Sequence, residues 1–157
     1  GISDDSAWAR GQAWALYGYT VMFRETREPR YLEQAQKIAA FIMHHPRLPA
    51  DKVPYWDFDA PGIPNEPRDA AAAAIICSAL LELRTYATGA MAQEYSNFAE
   101  QQLRSLASPA YLAQPGENGG FLLKHATGNY PKKSEIDTPI NYTDYYFLEA
   151  LLRARSQ

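Results

Sequence analysis

Arg10 and Trp14 stand four residues apart in the segment Trp8-Ala9-Arg10-Gly11-Gln12-Ala13-Trp14. On a helix that spacing puts both on one face, a turn apart. A guanidinium takes a carboxylate at two points, and an indole offers a flat apolar surface. The pair therefore suits an anionic sugar ring, with the Gln12 amide close by. A buried tryptophan packed on a satisfied arginine has the same spacing. Trp56 lies in a second aromatic stretch, Pro54-Tyr55-Trp56-Asp57-Phe58-Asp59. It can floor an outer sugar subsite or anchor its own loop against a rim. Asp57 and Asp59 flank these aromatics and are candidates for substrate contact. Tyr142, just before Asp144, has a phenol that can reach a reacting centre or simply line a wall. His125 follows Gly119-Gly120 and Lys124 and is a further binding candidate. His44 and His45 have no third ligand at useful spacing, so no metal site is expected.

Charge narrows the class. The 157 residues carry a net charge of −3, whereas a nucleic-acid surface calls for a basic patch. Positive groups for an anionic ligand must then be local: Arg10, Arg68, Lys124, His125, Lys132 and Lys133. The single cysteine, Cys77, sits in an apolar run and excludes a disulfide framework. No apolar run is long enough for a membrane span. Eleven tyrosines and three tryptophans suit a carbohydrate cleft, although cores use them too.

The elements that must position these residues read as helices. Asp4, Asp5 or Ser6 can cap a first helix to about Arg24, with Arg10, Trp14, Tyr17 and Val21 on one face. Gly11 and Gly18 within it require a close neighbour to offset their cost, about 1 kcal/mol each relative to alanine. Pro29 opens a second helix to about His44. Residues 46–67 hold six prolines and form a long loop. Asp69 caps a third helix through Tyr86, apolar all round over Ala70–Leu83 and hence buried. Ala92 to about Leu106 is its amphipathic partner, with Tyr95, Phe98, Leu103 and Leu106 inward. The glycine- and proline-rich stretch 107–140 holds a possible hairpin around Gly120–His125 and Tyr130. A last helix runs from Thr143 or Asp144 to about Ala154. A buried helix led by an aspartate (Asp5, Asp69, Asp144) thus alternates with an amphipathic outer helix. The expected fold is all-α: helical hairpins in a ring or, equally allowed, in a linear repeat array.

The segment Asp5–Trp14 with Tyr17-Gly18, together with Pro54–Asp59, Arg68–Ala73 and Asn141–Leu151, resembles the unsaturated glucuronyl hydrolases, glycoside hydrolase family 88. The likeness runs from Gly1 to about Arg153. It implies about half of an (α/α)6 toroid, the C-terminal half of the family domain. The family's two catalytic aspartates fall outside these motifs, so no catalytic residue is assigned here beyond Tyr142 as a possible assistant. Asp5, Asp69 and Asp144 are better suited to capping, because helix-start carboxylates are stabilised as anions. The resemblance implies removal of a 4,5-unsaturated uronic acid from lyase-generated oligosaccharides by vinyl-ether hydration, with no cofactor. It implies substrate-binding positions at Arg10, Trp14 and Tyr142; Gln12, Trp56 and His125 complete the candidate set. Thr143 stands where many relatives carry glycine. Lys132-Lys133 is a solvated turn or a sulfate-binding rim. The expected partner is the missing N-terminal half, or a second copy, covering an open half-ring. The compartment stays open between bacterial cytoplasm and periplasm. Unsaturated rhamnogalacturonyl hydrolases are a neighbouring reading, although Gln12-Ala13 looks more like the glucuronyl group. A noncatalytic helical-repeat module binding glycan or peptide is the alternative of a different class.

Overall fold

A computed structural model describes residues 1–156. Five helices form the body: α1 (Ala9–Thr26), α2 (Pro29–Met43), α3 (Ala70–Leu83), α4 (Gly89–Leu106) and α5 (Asn141–Arg155). One antiparallel hairpin, β1 (Ala126–Asn129) and β2 (Ser134–Thr138), stands before α5. Of the possible hairpin around Gly120–His125 and Tyr130, the Tyr130 part is found, at the turn between the strands, while Leu123 makes only an isolated bridge to Leu112.

α3 is the centre of the chain. Its alanines carry the best helix propensity and the least bulk, so neighbouring helices can approach it closely. Every residue from Ala70 to Leu83 except Glu82 is buried. α1 and α5 flank it, with α2 and α4 outside, giving the inner and outer alternation expected of a partial toroid. α1, α4 and α5 thus cover Ala70–Leu83 within the chain itself, as its apolar run predicts. The apolar surface left open lies on α5, at Tyr145, Leu148, Leu151 and Leu152, and on α1, at Tyr19 and Met22.

Of the three aspartate-led helices, only α3 begins as expected. The Asp69 carboxylate accepts from the Ala71 and Ala72 amides. α1 begins three residues late, after Trp8, with no side-chain cap. Trp8 is held extended by a bridge to Asp57, the Ala9 amide donates to the Trp56 carbonyl, and Phe58 N–H donates to Ala7. This pairing with the long loop delays the helix, and Asp4 and Asp5 remain in an exposed turn. Asp144 sits inside the first turn of α5 and accepts from Leu122 and Leu123 N–H, at 2.7 and 2.9 Å. It ties the preceding loop down. α4 opens at Gly89, whose φ of 57° favours glycine.

A polar network closes the far end of the inner helices. Glu149 on α5 accepts from Tyr17 on α1 at 3.1 Å and from the Ser78 hydroxyl on α3. Arg153 pairs with Glu82 at 2.8 Å, and Arg24 pairs with the same carboxylate at 3.2 Å. Burial, with Glu149 beside it, raises the Tyr17 phenol to about 12, so it stays a donor.

Candidate functional site

Two helix faces meet above the alanines of α3. α1 contributes Arg10, Trp14 and Tyr17, and α5 contributes Tyr142, Tyr146 and Glu149. Both series follow the helical repeat. Trp14 lies 5.8 Å from Tyr142 and 5.2 Å from Tyr146, centroid to centroid, the second edge-on. Tyr146 also meets Tyr17 edge-on at 5.1 Å. Such tilted contacts suit the aromatic quadrupole and fix ring orientation. Trp14 and Tyr142 are both half-buried, so the row keeps an accessible side.

Arg10 is placed differently from an open clamp. It is 3 % exposed and pairs with the fully buried Asp69 at 3.2 Å. Its two terminal nitrogens also donate to the Thr127 and Gly128 carbonyls of β1. The guanidinium lies 5.0 Å from the Trp8 ring centroid and 5.8 Å from that of Tyr142. Its planar fork thus joins α1, α3 and the hairpin. Burial raises the Asp69 carboxyl to about 6, against the opposing pull of Arg10 and of the Ala72, Thr127 and Ala71 amides. For Tyr142, burial is again the largest influence and raises the phenol above its ordinary value. Arg10 opposes that rise, while Asp69 and Glu135 add to it. The hydroxyl therefore remains protonated across the neutral range and can donate.

Gln12 is half-buried on α1 but, two residues from Arg10, lies on the side of the helix opposite the Arg10–Trp14–Tyr17 face. Trp56 is 2 % exposed; its indole N–H donates to Glu66 at 3.0 Å, and Tyr130 stacks on it at 4.2 Å and 15°. The open aromatic surface at this rim is therefore Tyr130. A cavity of about 460 Å³ beside it is lined by Ile2, Trp56, Tyr130, Pro131, Lys133 and Ile136, among others. His125 stands apart from the Trp14–Tyr142 row. Its Nδ1 meets Asp137 at 2.5 Å, and its ring abuts Tyr111 edge-on. Asp57 is buried and braces the N-terminal turn, accepting from Ile2 N–H and the Ser6 hydroxyl, both at 2.9 Å. Asp59 accepts from Ala7 N–H at 3.0 Å. Both aspartates hold the loop to the α1 entry. Arg68 pairs with Asp51 and covers Tyr55; Lys124 donates to the Pro109 carbonyl. His44 pairs with Glu94 at 2.7 Å.

Tyr146 and Tyr130 join the candidate site only in the folded chain. Tyr146 was legible as the residue one turn after Tyr142. Tyr130 was not, because nothing local pairs it with Trp56.

Inner helices, outer helices and a rim of aromatic loops define part of an α/α toroid with an aromatic wall. The relatives agree. No family model matches the chain. The unsaturated glucuronyl hydrolase of Formosa agariphila is 54 % identical over 156 residues, covering 99 % of this chain and 38 % of the relative. That of Bacillus sp. strain GL1 is 35 % identical, with 98 % and 40 % covered. The unsaturated chondroitin disaccharide hydrolase of Streptococcus pyogenes serotype M1 is 34 % identical, with 98 % and 38 % covered. Among solved structures, an unsaturated glucuronyl hydrolase specific for heparin superposes with a TM-score of 0.96 at 54 % identity, with 99 % of this chain and 42 % of that one covered. The Bacillus sp. GL1 enzyme superposes at 0.89, with 96 % and 40 % covered. The resemblance to the unsaturated glucuronyl hydrolases is thus borne out in sequence and fold. The chain spans about two fifths of the length of the relatives it matches.

Proposed function

We propose that this chain forms part of the substrate-binding wall of a glycoside hydrolase that removes 4,5-unsaturated uronic acid from lyase-generated oligosaccharides. The observation that carries the reading is the Trp14–Tyr142–Tyr146 row, set on a fold that follows unsaturated glucuronyl hydrolases along its whole length. In the proposed reaction an aspartic acid protonates C4 of the vinyl ether and then activates water to attack C5. The hemiketal so formed rearranges and releases the neighbouring sugar. That aspartate is supplied by the part of the domain that the match leaves uncovered.

The chain's own contribution is binding and orientation. Trp14 offers a face to the unsaturated ring, and the protonated Tyr142 hydroxyl donates to the sugar or to the attacking water. Tyr130 extends the wall outward, with Lys132 and Lys133 at the hairpin turn where an acidic or sulfated substrate would leave the ring. His125, paired with Asp137, stays outside this wall. The exposed apolar face of α5 is where the rest of the ring packs.

The test is turnover of an unsaturated disaccharide, followed by loss of absorbance of its conjugated double bond. The 157-residue chain alone gives none. Fused to the portion of the Formosa agariphila relative that the match leaves uncovered, it gives turnover. Activity of the chain alone, or a natively melting fusion with none, overturns the reading.

A further inference from the structure

The hairpin is a cantilever. β2 and the turn before it are mostly exposed, and three of their residues hold left-handed backbone: Lys133, Glu135 and Asp137, with φ of 52, 53 and 54°. Side chains rarely adopt that region, so this strand does not order itself. One residue carries it. Thr127 is 1 % exposed, and each of its polar groups is engaged by the body of the protein. Its hydroxyl donates to the Arg68 carbonyl at 2.9 Å, its carbonyl accepts from Arg10, and its amide helps hold the Asp69 carboxyl down against burial. Arg10 reaches one residue further, to the Gly128 carbonyl. Beyond this grip, Tyr130 lies on Trp56.

We propose that Arg10 and Asp69 are positioning residues that grip the hairpin at Thr127 and so set the Tyr130 rim. A planar fork is needed for this task. It must meet one carboxylate and two successive carbonyls at once, and an ammonium lacks that geometry. The purpose assigned to the rim rests on the function proposed above; the grip itself does not, and its test reads no activity.

Hydrogen exchange of the 157-residue chain, resolved by residue, tests it. In the unsubstituted chain, amides at 126–128 are protected near the level of α3, while those at 132–137 exchange sooner. Arg10→Lys keeps a charge beside Asp69, yet speeds exchange across 126–137 at least tenfold and leaves α3 protected. Tyr130→Ala removes the stack and leaves 126–128 protected. Near-ultraviolet circular dichroism reports the Trp56–Tyr130 stack, and Arg10→Lys diminishes that signal. The proposal is overturned if Arg10→Lys leaves the hairpin as protected as before, or if α3 loses protection in step with it. It is also overturned if Tyr130→Ala alone frees 126–128. Should Arg10→Lys not fold, the unsubstituted chain and Tyr130→Ala decide: equal exchange at 126–128 and 132–137 in the former rejects the grip.

Discussion

Trp14 on α1 and Tyr142 on α5 meet with ring centroids 5.8 Å apart and planes inclined at 56°. They lie far apart in sequence and are brought together because both helices pack on the small residues of α3. A fixed tilt of this kind holds each ring in one orientation, which a sugar platform and a hydrogen-bond donor both require.

Tyr142→Phe removes only the hydroxyl from that pair. If the hydroxyl stabilises the transition state, kcat and kcat/KM in the assembled hydrolase fall together. One lost buried hydrogen bond corresponds to about 1–3 kcal/mol. Trp14→Ala instead raises KM, through loss of the face. Steady-state kinetics with melting curves separate the cases; unchanged kcat and stability in Tyr142→Phe leave Tyr142 as a wall residue.

The Arg10–Trp14–Tyr17 face was legible because helical periodicity is local, and the alanine run announced a buried helix for the same reason. The start of α1 was not, because the Trp8–Asp57 bridge joins segments far apart in sequence and overrides the capping signal of Asp4-Asp5-Ser6. The same limit hid the role of Arg10. Its neighbours in sequence suggest a ligand for the guanidinium, whereas Asp69, Thr127 and Gly128 reach it only once the chain is folded. Trp56 could be seen as an aromatic rim, but its stacking on Tyr130 joins a loop and a hairpin far apart in sequence.

Thr143 carries a buried hydroxyl with no hydrogen-bond partner among the described residues. It neighbours Tyr142 and lies on the buried face of α5. An unsatisfied buried polar group costs about 1–3 kcal/mol. Thr143→Val keeps the shape and removes that cost. Denaturant melts of the 157-residue chain should show a stability equal to or above that of the unsubstituted protein, by up to about 1–3 kcal/mol, because the helix penalty of a β-branched residue is already present in threonine. A clear loss of stability would mean that the hydroxyl has found a partner.

The open face of α5 predicts association. Leu152 is 63 % exposed, Tyr145 59 % and Leu148 48 %, on a helix whose buried side rests on α3. Apolar area of this kind gains roughly 25 cal/mol per Å² on burial. The isolated chain should self-associate in a concentration-dependent way, and Leu148→Gln with Leu152→Gln should reduce this without lowering the melting temperature. Sedimentation velocity checks both. A strictly monomeric chain at high concentration would place no partner on that face.

Asp69 gives a pH signature with a definite sign. Its carboxyl is raised from 3.8 to about 6 in the folded chain, chiefly by burial. The folded state thus holds a proton that the unfolded state releases between roughly pH 4 and pH 6. The contribution of this group to stability is fully present below pH 4 and is lost as pH rises through about 6. A shift of this size corresponds to roughly 3 kcal/mol. Asp69→Asn keeps an oxygen to cap α3, because asparagine caps as well as aspartate, but it cannot titrate. Urea melts from pH 4 to pH 7 should show stability declining more steeply in the unsubstituted chain than in Asp69→Asn. The difference should arise between pH 4 and pH 6 and stay constant above pH 7. Asp69→Asn also leaves Arg10 buried beside a neutral amide, which lowers stability by an amount that does not vary across this range. Parallel pH profiles would mean that Arg10 and the Ala71, Ala72 and Thr127 amides hold the carboxylate ionised, with burial the weaker influence.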